Sequence, residues 1–188
     1  MGSYLNPGSG LFEMALRSQI FVDKSGLIEK TNHCVRTLQR YMCVSRPRRF
    51  GKSMGVDMLA AYYDRSVNTK ELFQSLKIKS IKDYEKHLNQ YDVLKINMQE
   101  FLSATNDIEH MLKMLNEYLI FDLKEQYGQV RFRDEKNLVQ VMKDVYSYTK
   151  HPFVILIDEW DCLFREYQQN QEAQKKYLAD LIRYHELD

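Results

Sequence analysis

YMCVSRPRRFGKSMGVDMLAAYYD, residues 41–64, is the stretch from which the fold is read. Tyr41-Met42-Cys43-Val44 is a compact apolar run that stops at Ser45-Arg46-Pro47, and it predicts a buried strand. After the basic loop at 46–51, Met54, Met58, Leu59 and Tyr62 recur at helix spacing through about Asp64. A strand feeding a glycine loop that opens a helix is an arrangement that binds phosphate. In such a loop Gly51 lets backbone N–H groups turn toward an anion, Lys52 can reach the outer phosphates, and the Ser53 hydroxyl can ligate magnesium. The positive dipole end of the helix acts in the same direction. The strict pattern G-x-x-x-x-G-K-[ST] needs glycine at position 46, where this chain has Arg46. Two readings stand side by side. One is a chance Gly-Lys-Ser among solvated arginines. The other is an anion site in which Arg46, Arg48, Arg49 and Lys52 donate charge-assisted hydrogen bonds of roughly 1.5 to 3 kcal/mol each. Three or four of these would supply the ~8 kcal/mol of micromolar binding.

Working outward, residues 2–10 are turn-rich, Leu11 to Ile20 predicts a short helix with Phe12, Leu16 and Ile20 on one side, and Gly26 to Arg36 predicts a second. DVLKINM at 92–98 alternates in part and predicts a strand near a sheet edge. Two amphipathic helices follow, one carrying Ile108, Met111, Leu112, Leu115 and Leu119, the other Leu138, Val141, Met142 and Val145. Phe153 to Ile157 is apolar on both faces, the pattern of a central strand covered by helices. Tyr177, Leu178, Leu181 and Ile182 define a last helix. Strands alternating with helices predict an α/β fold with a parallel sheet. There is no internal repeat or linker, so residues 1–188 are expected to form a single domain, with 1–36 as a helical lead-in.

Composition agrees with this. With 44% hydrophobic and 28% charged residues, a 188-residue chain can bury a real core. Only seven glycines and three prolines favour long helices over the many tight turns of a β-sandwich. The net charge of +1 supplies no global attraction for nucleic acid, so any such contact would come from the local patch at Arg46, Arg48, Arg49 and Lys52. The longest apolar run, Phe153 to Ile157, is far short of the ~18 residues a membrane span needs. Cys34, Cys43 and Cys162 match neither a disulfide framework nor a zinc site, and no signal-peptide pattern opens the sequence. A cytoplasmic setting is the expectation.

The 153–157 strand ends in Asp158-Glu159-Trp160-Asp161, where open α/β sheets bind ligands. Apolar residues followed by Asp-Glu form the Walker B pattern, in which Asp158 would hold magnesium and Glu159 would orient and deprotonate the attacking water. The alternative is a pair of acids favoured at a helix N-terminus.

SRPRRFGKS (45–53), preceded by FVDKSGLIEK (21–30) and followed by VILIDEWD (154–161), resembles the AAA-ATPase-like family of bacterial proteins, whose phosphate loop is of the R-P-R-R-F-G-K-[ST] type. YLNPG (4–8) and KHLNQYDVLKIN (86–97) are similar to further segments of that family. The resemblance spans nearly the whole chain and corresponds to the N-terminal part of family members, which commonly continue into a PD-(D/E)XK nuclease-like domain. It implies a P-loop NTPase-like parallel sheet flanked by helices, in which Arg46 is a family trait. It also implies ATP and magnesium as cofactors. Arg48, Arg49, Phe50, Gly51, Lys52 and Ser53 fall on the nucleotide-binding loop, Ser53 and Asp158 on the metal, and Glu159 on the hydrolytic step. Family members go on to a strand bearing a polar sensor, whereas 30 residues follow Asp158 here. The sheet is therefore expected to be incomplete, and no arginine finger is assigned, Arg165 and Arg183 being read as surface residues. Two functions follow: a magnesium-dependent ATP-binding protein with weak ATPase activity, or a catalytically silent short relative. The silent relative would bind a protein, a second copy of itself or nucleic acid as an inhibitor or decoy.

Overall fold

A computed structural model describes residues 2–45, 50–105, 107–166 and 171–183, with the side chains at 173, 176 and 180–183 outside the description. Contacts divide the chain into two units: Asn6–Lys95 with Pro152–Leu156, and Gly2–Leu5 with Ile96–His151 and Ile157–Asp188. The strands β1 (Asp92–Asn97) and β2 (Phe153–Asp158) form a small parallel two-stranded sheet flanked by helices. The class is α/β, consistent with an incomplete P-loop-like fold.

In the first unit, α1 (Gly10–Leu16), α2 (Gly26–Cys34) and α3 (Lys52–Tyr63) pack around an aromatic core. Met58 through Tyr63 are all buried, so the last two turns of α3 are enclosed on every side. Phe12 stacks on Phe73 at 5.3 Å, and Tyr62 meets Phe73 edge-on at 5.6 Å and Tyr63 at 4.9 Å. Each such pair contributes about 0.5 to 1.5 kcal/mol beyond its area burial. Burial pushes the Tyr62 phenol up to about 12, against the Asn32 amide that donates to it. The end of α3 is sewn to the start of β1 by backbone bonds, Asn89 N–H to the Tyr62 carbonyl, Tyr91 N–H to Tyr63, and Arg65 N–H to Tyr91. Asn6 closes the flank of β1. Its N–H donates to the Val93 carbonyl, its Oδ1 accepts from the Val93 N–H at 2.7 Å, and its Nδ2 donates to Asp92 Oδ1 at 2.9 Å. One side-chain amide thus completes the bonding of a neighbouring strand residue. α1 stops at Leu16, and Ile20, read as part of its apolar side, is exposed.

The second unit is helical, with α4 (Met98–Ala104), α5 (Ile108–Gln126), α6 (Leu138–Thr149), α7 (Cys162–Glu166) and α8 (Gln171–Arg183). α5 buries Ile108, Met111, Leu112, Leu115 and Leu119, and α6 buries Leu138, Val141, Met142 and Val145, the two stripes expected. Side-chain caps start three of these helices, Asn97 on Gln99 N–H, Asp107 on His110 N–H and Asn137 on Gln140 N–H. Asp122 on α5 accepts the N–H groups of Tyr4 at 2.7 Å and Leu5 at 3.1 Å, which fixes the N-terminal segment.

Two expectations about the sheet do not hold. Residues 41–45 form no strand, and Tyr41 is 55% exposed with Met42 and Val44 exposed as well. An apolar run reports that residues can be buried, but a strand forms only where a neighbour offers a ladder. Phe153 to Ile157 was expected to be the central strand. It is instead half-buried, while Val93, Leu94 and Ile96 of β1 are buried. With 41–45 outside the sheet, β2 has β1 as its neighbour and no second strand among the described residues.

Candidate functional site

The Gly51-Lys52-Ser53 turn lies in the first unit. Gly51 caps α3 with φ 70° and ψ 40°, in the left-handed region that glycine enters without cost. No side chain caps the helix, so its first N–H groups are left to another acceptor. A left-handed residue followed by helical ones lines up successive N–H groups into an anion-binding concavity. Lys52 is half-buried with no ion-pair partner among the described residues, Ser53 is exposed, and the Phe50 ring is exposed. Arg46, Arg48 and Arg49 lie outside the described residues. One turn into the helix, Asp57 pairs with Lys95 of β1, so the helix start is held to the strand by charge as well as by packing.

Lys24 also belongs to this turn. Its Nζ donates to the Phe50 carbonyl and lies 3.5 Å from that of Gly51. A Cβ built on Gly51 would run into the same ammonium, so a side chain there would have to displace Lys24, while the positive φ is what favours glycine. The flanking residues fix Lys24. Asp23 accepts the N–H groups of Ser25 and Lys77, each at 2.8 Å, and the buried Ser25 hydroxyl accepts the N–H of Ile78 at 3.0 Å. Burial works to raise the Asp23 carboxyl, but these donors outweigh it and hold the group low. The signal in the sequence was Asp23-Lys24-Ser25, a cation between two side chains that bond backbone N–H groups.

The acidic end of β2 lies in the second unit. Asp158 is buried, and its Oδ1 accepts the N–H of Glu159 at 2.9 Å. Glu159 itself takes a left-handed conformation, φ 52°, which turns the chain sharply into α7, where its carbonyl accepts the Cys162 N–H at 2.9 Å. The Glu159 carboxylate is bound by Arg165 at 2.7 Å. The same guanidinium reaches Asp161 at 2.6 Å and the Gln99 side-chain Oε1 at 3.1 Å. Arg165 is therefore no free surface residue. Its partial burial disfavours the charge, and the Glu159 and Asp161 carboxylates more than restore it. Its partner Asp161 stands four residues before it, the helical ion-pair spacing that could have flagged it. The Arg183 side chain lies outside the description. Beneath this turn Cys162 is fully buried, which pushes its thiol up to about 11, and the buried Tyr177 donates to the Trp160 carbonyl at 2.7 Å. Cys34, Cys43 and Cys162 are all free thiols. Among the described residues no cluster of three or more His, Cys, Asp or Glu could hold a metal, and no helix is long and apolar enough to cross a membrane.

The chain is α/β, with a glycine-capped helix start in one unit and a strand ending in acids in the other. The family model described as a predicted AAA-ATPase, AAA-ATPase_like, matches residues 11–187, and the chain belongs to that family. No curated protein and no solved structure matches it.

Proposed function

We propose that this chain binds ATP with magnesium, and that Gly51, Lys52 and Ser53 hold the phosphates with Arg48, Arg49 and Phe50 beside them. The family assignment supports nucleotide binding in general terms. The observation that carries the finer reading is the left-handed Gly51 at the uncapped start of α3, because it presents backbone N–H groups where Lys52 adds a free charge. Magnesium accompanies a triphosphate and keeps several waters, so it needs one or two protein oxygens and not a cage. Ser53 and Asp158 are the oxygens that the sequence pattern offers, and magnesium would neutralise charge on the phosphates. Glu159 is the residue to take a proton from water, and its ion pair with Arg165 favours slow turnover, a binder first and an ATPase second. Titration with a fluorescent ATP analogue, with and without magnesium, tests this. Wild type should bind and Lys52→Ala should lose at least about tenfold, the equivalent of one charge-assisted hydrogen bond. No binding by wild type would refute the proposal. Phosphate release by Glu159→Gln should fall below wild type, and equal rates would remove Glu159 from the chemistry.

A further inference from the structure

We propose that Lys24 is a positioning residue of the phosphate turn, acting through the backbone of Phe50 and Gly51 and not by touching the nucleotide. This rests on the turn being a phosphate site. Peptide units are planar and trans, so a C=O drawn to one side sends the N–H of the same unit to the other. The ammonium of Lys24 bonds the Phe50 carbonyl and lies against that of Gly51. The N–H groups of those two units belong to Gly51 and Lys52, and they are turned away from Lys24 together. These are the donors a phosphate turn must present. The Gly51 carbonyl also accepts the Gly55 N–H of α3 at 3.1 Å, so the helix already sets the Lys52 N–H, and the contribution of Lys24 falls chiefly on the Phe50–Gly51 unit and its Gly51 N–H.

The position of Lys24 is built and not incidental. Its neighbours are tied by three hydrogen bonds to the backbone at 25, 77 and 78. Among the described residues it has no carboxylate partner, although 26 acidic residues are present in the chain. A lysine whose ammonium is held on backbone carbonyls serves the conformation of those carbonyls.

The test compares wild type, Lys24→Met and Lys24→Arg. Each is titrated with the fluorescent ATP analogue and with adenosine, melted without ligand, and treated with an amine-acetylating reagent followed by peptide mass spectrometry. Lys24→Met should weaken ATP-analogue binding at least about tenfold. It should leave adenosine binding unchanged, and Lys24→Arg, which keeps the donor, should recover most of the loss. Lys24 in wild type should be acetylated several-fold more slowly than the exposed Lys82. Lys24→Met binding the analogue as tightly as wild type would overturn the inference, as would a loss that arginine does not recover. If wild type binds no nucleotide, the reading of the turn as a nucleotide site fails, and acetylation then decides on Lys24. Slow modification supports its hold on the turn, and modification as fast as Lys82 overturns it.

Discussion

Gly51→Ala is the substitution whose cost the structure specifies most closely. At φ 70° an alanine pays about 1 to 2 kcal/mol for the left-handed conformation. Its methyl would also occupy the place of the Lys24 ammonium, the far end of a flexible side chain that can swing away. That movement gives up the bond to the Phe50 carbonyl. A charge-assisted hydrogen bond contributes about 1.5 to 3 kcal/mol, and the lower figure applies to a half-buried group. The expected loss is therefore about 2.5 to 3.5 kcal/mol. In a Lys24→Ala background only the conformational part should remain, about 1 to 2 kcal/mol, so the two substitutions should couple by about 1.5 kcal/mol. Urea unfolding of the four proteins at neutral pH measures this, provided the slopes agree. A Gly51→Ala protein within about 0.5 kcal/mol of wild type would refute the account of the turn. A full penalty that persists unchanged without Lys24 would refute the contact while leaving the backbone strain.

Asn6→Ala should cost about 2 to 4 kcal/mol in urea unfolding, because it removes two bonds and leaves Asp92 buried with Oδ2 already lacking a partner. Asp144 accepts from the Arg133 backbone N–H and guanidinium and from the Gln140 amide. Burial pushes its carboxyl up, and those donors outweigh burial and hold it below the ordinary value of 3.8. Its contribution is therefore present above that value and lost as pH falls through the lower folded one. Asp144→Asn should destabilise by about 1 to 3 kcal/mol at pH 7, a gap that narrows on acidification below 3.8 in thermal melts at stepped pH. His87 is shifted down by burial first, then by Lys86 and Arg36, so the stability its neutral ring supports should fall as pH drops below the ordinary value of 6.5. His87→Gln should flatten that limb. Arg165→Ala should lower stability by about 1 to 3 kcal/mol, since it strands Glu159 and Asp161 together, and a thermal melt unchanged from wild type would contradict the network.

Local chemistry was legible wherever it acts within a few residues. The stripes of α5 and α6, the helix after Lys52 and the strand at 92–97 follow from periodicity, because one buried face imposes its repeat on the sequence whatever lies opposite. The glycine turn that opens α3 and the acids that end β2 were legible as local structure for the same reason, since a left-handed cap and acids at a strand end are local demands. What the tertiary structure decided were matters of partnership. Tyr41 to Val44 has the composition of a strand but not its ladder, and β2 has the composition of a central strand but only β1 beside it. Lys24 reaches a turn 26 residues away, and Arg165 joins Glu159 to Gln99 across 66 residues. Periodicity reports what a segment can bury or bond. Which carbonyl or carboxylate is there to receive it depends on loop closure between distant segments, and no window of local sequence contains that information.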